Sequence, residues 1–326
     1  MITRMLSVYA ARLSADDPLS ALEVGEQPEP TVPEGWTTVT VRAAALNHHD
    51  VWSLRGVGLP QDRLPMILGC DAAGVDVDGN EVVVHAVIGD PDAGEGDETY
   101  DPRRSLLSEK FPGTLAERVD VPRRNLLPKP KELSFAEAAC LPTAWLTAYK
   151  MLFSRAGVRP GDSVLVQGAG GGVATAAIVL ARAAGLQVWA TSRSADKRKR
   201  ALELGAHEVF ETGARLPARV DAVVDSVGEA TLDHSLKSTR PGGRVVLCGA
   251  TSGQSASIAL PRVFFSQVDL LGSTMGNRHE LADLLSFLAA SGVRPLIDSE
   301  RPLSEARSGF ERMVSGDVFG KVVFTL

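Results

Sequence analysis

A chain of 326 residues suggests two domains, at about 150 residues each, with a sizeable buried core, which excludes a peptide or a staple-dependent scaffold. Its 34 Lys and Arg against 40 Asp and Glu give a formal charge of −6, so it lacks the cationic field that draws in phosphate backbones or anionic lipid, and neither nucleic acid nor membrane is an expected partner. With 44% hydrophobic and 23% charged residues it reads as an ordinary globular protein, neither disordered nor collagen-like.

Cys70, Cys140 and Cys248 are too few for a disulfide framework, and no C-x-x-C pair occurs, which points to a reducing cytoplasm. Residues 1–13 carry Arg4 and Arg12 among scattered apolar residues, and no stretch reaches about 18 uninterrupted apolar residues, so neither secretion nor a membrane span is expected.

Over the first 130 residues short strands are expected at 37–44, 73–77 and 81–87, separated by Gly, Pro and Asp clusters. The polar stretch 88–110, with Gly89, Pro91, Gly94 and Gly96 and a run of acids, reads as an exposed, mobile excursion over the surface. After Pro128-Lys129-Pro130 the pattern changes. Ser134 followed three residues later by Glu137 is a capping-box signature, and helical apolar spacing then runs to Phe153. From Ser163 strands (163–167, 187–191, 221–225, 244–248) alternate with helices (173–184, 195–204, 229–238). These strands are near-continuous apolar runs, as in a parallel sheet with helices on both faces. A strand at 268–273 adds to that sheet, a helix follows at 278–291, and a closing strand at 320–326 is expected to return to the first domain.

The strongest local signal is Val164-Leu-Val-Gln-Gly-Ala-Gly-Gly-Gly-Val-Ala-Thr175, where an apolar strand runs into glycines that open an apolar helix. A dinucleotide pyrophosphate reaches the free amides of a helix start only if no Cβ stands in the way, and Gly170, Gly171 and Gly172, with the amide of Val173, supply that approach. The strict G-x-G-x-x-G spacing is broken, because Val173 or Thr175 falls at its last position; the strand before, the helix after and a second strand at βαβ spacing support the reading over a glycine turn without a ligand. The end of the second strand carries Ser192 and Arg193 where an NAD site commonly has an acid, with Lys197 in the next helical turn. Hydroxyls and a guanidinium suit a 2′-phosphate, so NADPH is the expected cofactor; the alternative is that the basic run is a solvated helix face.

The order of these features, with Asn47-His-His-Asp50, Leu68-Gly-Cys-Asp-Ala-Ala-Gly74, Leu141-Pro-Thr-Ala-Trp-Leu-Thr-Ala-Tyr149, Asp225-Ser-Val-Gly228 and the terminal Gly-Lys-Val-Val-Phe324, resembles the medium-chain dehydrogenase/reductase superfamily over essentially the whole chain, and its quinone oxidoreductase-like, zinc-free branch most. The resemblance implies an α/β fold: a GroES-like, β-rich catalytic domain over 1–127, completed by 262–326, and a doubly wound Rossmann domain over 128–261, with the active site in a cleft. It also implies that Val227 lies along the nucleotide, that Gly249, Ala250 and Thr251 lie near its nicotinamide half, and that Thr143 contacts the cofactor. Lys321 and His48 are implied pyrophosphate contacts. A homodimer through the edge strand 268–273 is implied as well.

Zinc-dependent members of that superfamily place a cysteine, a histidine followed by glutamate, and a second cysteine where this chain has Asn47, Cys70 with Asp71, and Thr143. An amide and a hydroxyl are poor zinc ligands, and the four-cysteine lobe is missing from 88–110, so no metal is expected. His48 and His49, read as neighbours on an extended segment, would point to opposite sides and not share an ion. Hydride transfer without a metal needs hydrogen bonds to a developing oxyanion and a proton source, which suits quinones, enones and related activated carbonyl compounds. Asn47 is the candidate substrate or oxyanion contact and His49 the candidate proton relay, with a purely structural hydrogen bond as the alternative for His49. Asp50 reads as structural and Cys70 as a small core residue. A zinc-type alcohol or aldehyde dehydrogenase and a non-catalytic NADPH-binding sensor are the competing functions.

Overall fold

The computed structural model describes residues 3–29 and 31–326, so the expected first domain, 1–127, is seen from residue 3 and without residue 30. Two compact units emerge: one gathers the chain up to Thr143 with Asn277–Ala290 and Arg294–Leu326, the other holds Ala144–Gly276 and Ser291–Val293. These divisions fall later than 127/128 and 261/262. The helix Phe135–Ala139 packs on the strands Trp36–Ala45 and Asp71–Asp76 of the first unit, and the strand Asp269–Gly272 extends the sheet of the second.

In the first unit, alternate residues of Trp36–Ala45 are buried as far as Ala43, the signature of a strand with one face on a core. It pairs antiparallel with Asp71–Asp76, with Arg118–Pro122 along its first half, and with the closing strand Lys321–Thr325 at its end, through Val323 opposite Ala45. Gly74 permits the closest of these approaches: a Cβ there would lie 2.2 Å from the Thr40 carbonyl oxygen. Two strands absent from the sequence reading, Arg4–Ala10 and Leu22–Pro28, pair with each other, and Met66–Ile67 joins them in a separate three-stranded sheet.

The segment 88–110 is exposed in part, as expected, but part of it is built into the fold. Short strands Val87–Ile88 and Ser105–Leu106 pair at its base, and Glu98, Thr99, Asp101, Leu107 and Ser108 are buried. Asp90, Asp92 and Glu95 are exposed, but other acids accept backbone amides, Asp101 from Asp90 and Arg103, Asp97 from Thr99, and Glu98 from Arg278.

The second unit is a six-stranded, all-parallel sheet in the order Glu208–Phe210, Gln187–Thr191, Ser163–Val166, Val220–Asp225, Thr239–Leu247, Asp269–Gly272. Helices Gly172–Ala183, Ala195–Leu204 and Glu229–Ser238 supply the crossovers. The central strands are buried over most of their length, with Val164, Leu165, Val166, Val223 and Val245 fully enclosed. Strand order reverses between Ser163–Val166 and Val220–Asp225, and ligands of such sheets bind beyond the strand ends at this switch point. The Ser134–Glu137 capping box forms as read, but the helix it starts is irregular. Wide π-helical turns occupy Leu141–Trp145 and Lys150–Arg155 on either side of Leu146–Tyr149, and Pro142 has no amide to donate within the first of them.

Candidate active site

At the switch point the strand Ser163–Val166 leads through Gly168 and Gly170, both at positive φ, into the helix that starts at Gly172. Gly171 precedes that helix with no side-chain cap, so no side chain competes for its first amides, Val173 included, and a Cβ built on Gly171 would meet nothing within 4 Å. The Lys197 side chain lies against the same turn: a Cβ on Gly170 would sit 2.9 Å from its Cδ and 3.2 Å from its Nζ. Ser194 caps the next helix by accepting the Lys197 amide, while the Arg198 guanidinium donates to the carbonyls of Ser192 and Arg193 and holds that corner in place. Ser192 is buried and Arg193 exposed, and no acid ends the second strand. On the other side, Val227 packs on the Gly168 position, and the turn Gly249–Thr251 folds against Ser226, whose carbonyl Thr251 bonds at 3.4 Å. Asp225 is structural, accepting from the Val227 and Gly228 amides and from Thr231 and Ser235. Shape, free amides and positive charge together fit a dinucleotide phosphate.

In the first unit Asn47 ends an extended segment and precedes the helix His48–Leu54. The structure corrects the extended reading of the two histidines: the Asp50 carboxylate accepts the Asn47 and Gly69 amides, and this start-of-helix anchor winds His48 and His49 into the first turn. His48 is exposed. Lys321 also departs from its implied role. Its ammonium, on a side chain 2% exposed, donates to the Leu46 carbonyl at 2.8 Å, to Asn47 Oδ1 at 2.6 Å and to Asp71 Oδ2 at 2.9 Å. An ammonium has three N–H groups, so this arrangement leaves none for a pyrophosphate. Asn47 Nδ2 donates to Asp71 Oδ2 at 2.8 Å and makes a longer contact, 3.4 Å, with the Ala45 carbonyl. Asp71 Oδ1 and Thr143 Oγ1 are buried with no hydrogen-bond partner among the described residues. Such atoms are what a bound molecule satisfies.

Beside this triad, His49 places Nδ1 3.3 Å from Cys70 Sγ and Nε2 3.0 Å from Glu109 Oε1. Burial opposes charging of the ring, while the Glu109 carboxylate bonded to Nε2 favours it. Burial pushes the Cys70 thiol up. Sequence reasoning missed Glu109, which lies 60 residues from His49 in a stretch that looks like solvated surface.

The donor set matches zinc poorly. Among the described residues the group that could gather round an ion is His49, Asp50 and Cys70, within 4.8 Å of one another, yet both Asp50 oxygens already hold backbone amides. At the position vacated by a thiolate, Asn47 Oδ1 is occupied by an ammonium, a cation that repels a second one.

The alcohol dehydrogenase GroES-like domain family matches residues 33–131, and the zinc-binding dehydrogenase family matches 172–290. Acryloyl-coenzyme A reductase of Metallosphaera sedula is 30% identical over 93% of this chain and 96% of its own. A crystal structure of an NAD-dependent alcohol dehydrogenase is 37% identical with a TM-score of 0.89, covering 99% of this chain and 100% of that one. The structure of the 2-octenoyl-CoA carboxylase reductase CinF in complex with NADP and 2-octenoyl-CoA is 25% identical, with a TM-score of 0.89, over 99% of this chain and 87% of that one. The chain belongs to the medium-chain dehydrogenase/reductase superfamily of oxidoreductases and has quinone oxidoreductase and enoyl reductase relatives. Its β-rich unit is the GroES-like domain and its parallel sheet the Rossmann domain. Among the described residues no helix is long and apolar enough to cross a membrane.

Proposed function

We propose that this chain is an NADPH-dependent reductase of conjugated carbonyl compounds, such as enones, quinones or enoyl thioesters, that works without zinc. The observation that carries the reading is the Lys321 ammonium seated on Asn47 and Asp71, which turns the position of a Lewis acid into a hydrogen-bonded, proton-handling site. When bound, the reduced nicotinamide supplies the hydride. Gly170, Gly171, Gly172 and Val173 offer amides to its pyrophosphate, while Ser192, Arg193 and Lys197 take the 2′-phosphate. Val227, Gly249, Ala250 and Thr251 follow the nucleotide. The Asn47 N–H with the 3.4 Å partner is the donor for a substrate oxygen, and His49 supplies the proton.

Relatives that act on acryloyl-CoA and bind octenoyl-CoA with NADP support the substrate class. The test is turnover of an enone, a quinone and an enoyl thioester with NADPH and NADH separately. NADPH is expected to be preferred, and Arg193→Ala to weaken its binding by about tenfold while sparing NADH, the scale of one charge-assisted hydrogen bond. Oxidation of simple alcohols with NAD in place of these reductions would favour an alcohol dehydrogenase, the activity named for the 37% identical structure. Tight NADPH binding with no turnover would favour a sensor. We also propose a homodimer joined through the edge strand Asp269–Gly272.

A further inference from the structure

His49 has both ring nitrogens engaged, and the directions of its bonds can be worked out. Cys70 is fully buried, which keeps its thiol protonated at neutral pH, and its sulfur lies 3.2 Å from the Leu107 carbonyl oxygen. A carbonyl accepts only, so the S–H points to Leu107 and the sulfur is left to accept the His49 Nδ1–H. Nε2 is then the nitrogen that gains and loses a proton, and it faces Glu109. Glu109 is fixed in turn, its second oxygen accepting the Leu106 amide at 3.1 Å, and a Cβ on Gly58 would crowd its first at 2.9 Å. Burial raises the Glu109 carboxyl, but the bonds to His49 and Leu106 outweigh it and hold the group below its ordinary value, as an anion. Asp50 faces the ring as well, with its charge committed to two backbone amides, and Ser108 Oγ stands 3.8 Å from the Cys70 sulfur. The Cys70 end of this chain is sealed, whereas the His49 and Glu109 side chains are 19% and 25% exposed.

We infer that Cys70 and Glu109 are positioning residues that lock His49, Cys70 by fixing the Nδ1–H tautomer and Glu109 by keeping a proton on Nε2, so that this proton is the one the reduction consumes. The inference rests on the reductase reading above. Hydride added at the β-carbon moves the C=C electron pair toward the carbonyl as an enolate. The Nε2 proton passes to that enolate, the imidazole is left neutral opposite the Glu109 carboxylate, and water returns a proton to Nε2.

Nitrogen-15 NMR of the histidine ring in the intact protein reads the lock without any substrate. The expected result is a His49 ring that, once neutral, carries its proton on Nδ1. Glu109→Gln is expected to lower the ring's pKa by about one unit or more, and Cys70→Ala to return the neutral ring to the Nε2–H tautomer. In turnover of an enone, the basic limb of the kcat profile should move to lower pH in Glu109→Gln by the same amount. Glu109→Asp should move it less, with the KM for NADPH unchanged. A merely structural Glu109 would lower stability without moving that limb. A His49 pKa unchanged in Glu109→Gln, or a neutral wild-type ring protonated on Nε2, overturns the inference. Wild-type protein that shows the locked ring but reduces no conjugated carbonyl overturns the reductase reading instead and leaves the lock in place.

Discussion

The Lys321 ammonium and the Asp71 carboxylate, 250 residues apart in sequence, meet at 2.9 Å in a fully buried pair, with Asn47 bonded to both. Breaking such a pair by removing one partner leaves an uncompensated buried charge, at a cost of about 3–5 kcal/mol. Lys321→Met is therefore expected to lower the denaturant midpoint substantially, and adding Asp71→Leu to recover most of the loss. A single variant as stable as the parent would show that the pair is not what holds the closing strand against Asn47.

The glycine turn can be tested so that fold and ligand respond in opposite directions. Gly171 has an ordinary extended backbone, φ −73 and ψ 164, and open space where a Cβ would stand, while serine is a favoured residue at the start of a helix. Gly171→Ser should leave thermal stability the same or slightly higher. Its hydroxyl would take an amide that the pyrophosphate needs, so NADPH affinity measured by calorimetry should fall about tenfold or more. Equal affinity in the variant would move the phosphate elsewhere.

Acid stability depends on Glu98, a buried carboxylate bonded to His85 at 2.9 Å and to the Arg278 amide at 2.6 Å. Burial opposes its charge, but these bonds win and lower its pKa from 4.5 to about 2. The folded pKa is depressed, so its stabilising contribution is complete above the unfolded value and is lost as pH falls from about 4.5 toward about 2. Denaturant midpoints measured across that range should fall in the wild type and fall less in Glu98→Gln. Parallel curves would contradict the assignment.

Beside the edge strand Asp269–Gly272 the Rossmann unit exposes Leu260, Phe264, Phe265 and Leu270, Phe265 to 80%. An unpaired edge flanked by apolar side chains is suited to pairing with its own copy. Light scattering at micromolar concentration should give the mass of a dimer, and Phe265→Asp with Leu270→Lys that of a monomer. A monomeric wild type removes the dimer.

Where local rules sufficed, the sequence was legible. The helices Ala195–Leu204, Glu229–Ser238 and Arg278–Ser291 have the bounds that apolar period and flanking residues imply, and the glycine turn sits where strand and helix patterns meet. What escaped was long-range. The strand Arg4–Ala10 is defined by its partner Leu22–Pro28 more than by its own pattern. The helix at His48 depends on Asp50 reaching back to Asn47, a three-residue signal overshadowed by the adjacent histidines. Lys321 could be matched to a motif, but its acceptors, Asn47 and Asp71, lie 274 and 250 residues away. Glu109 was hidden because an acidic run reads as solvated until the amides and imidazole it serves are in view.

The most direct measurement follows a labelled hydride. Protein stripped of metal and verified to hold none would be given NADPH deuterated at nicotinamide C4 and a conjugated enone, and the product examined by NMR. The account predicts deuterium at the β-carbon, at a rate that added zinc does not raise. No transfer, or transfer that appears only once zinc is restored, would contradict it.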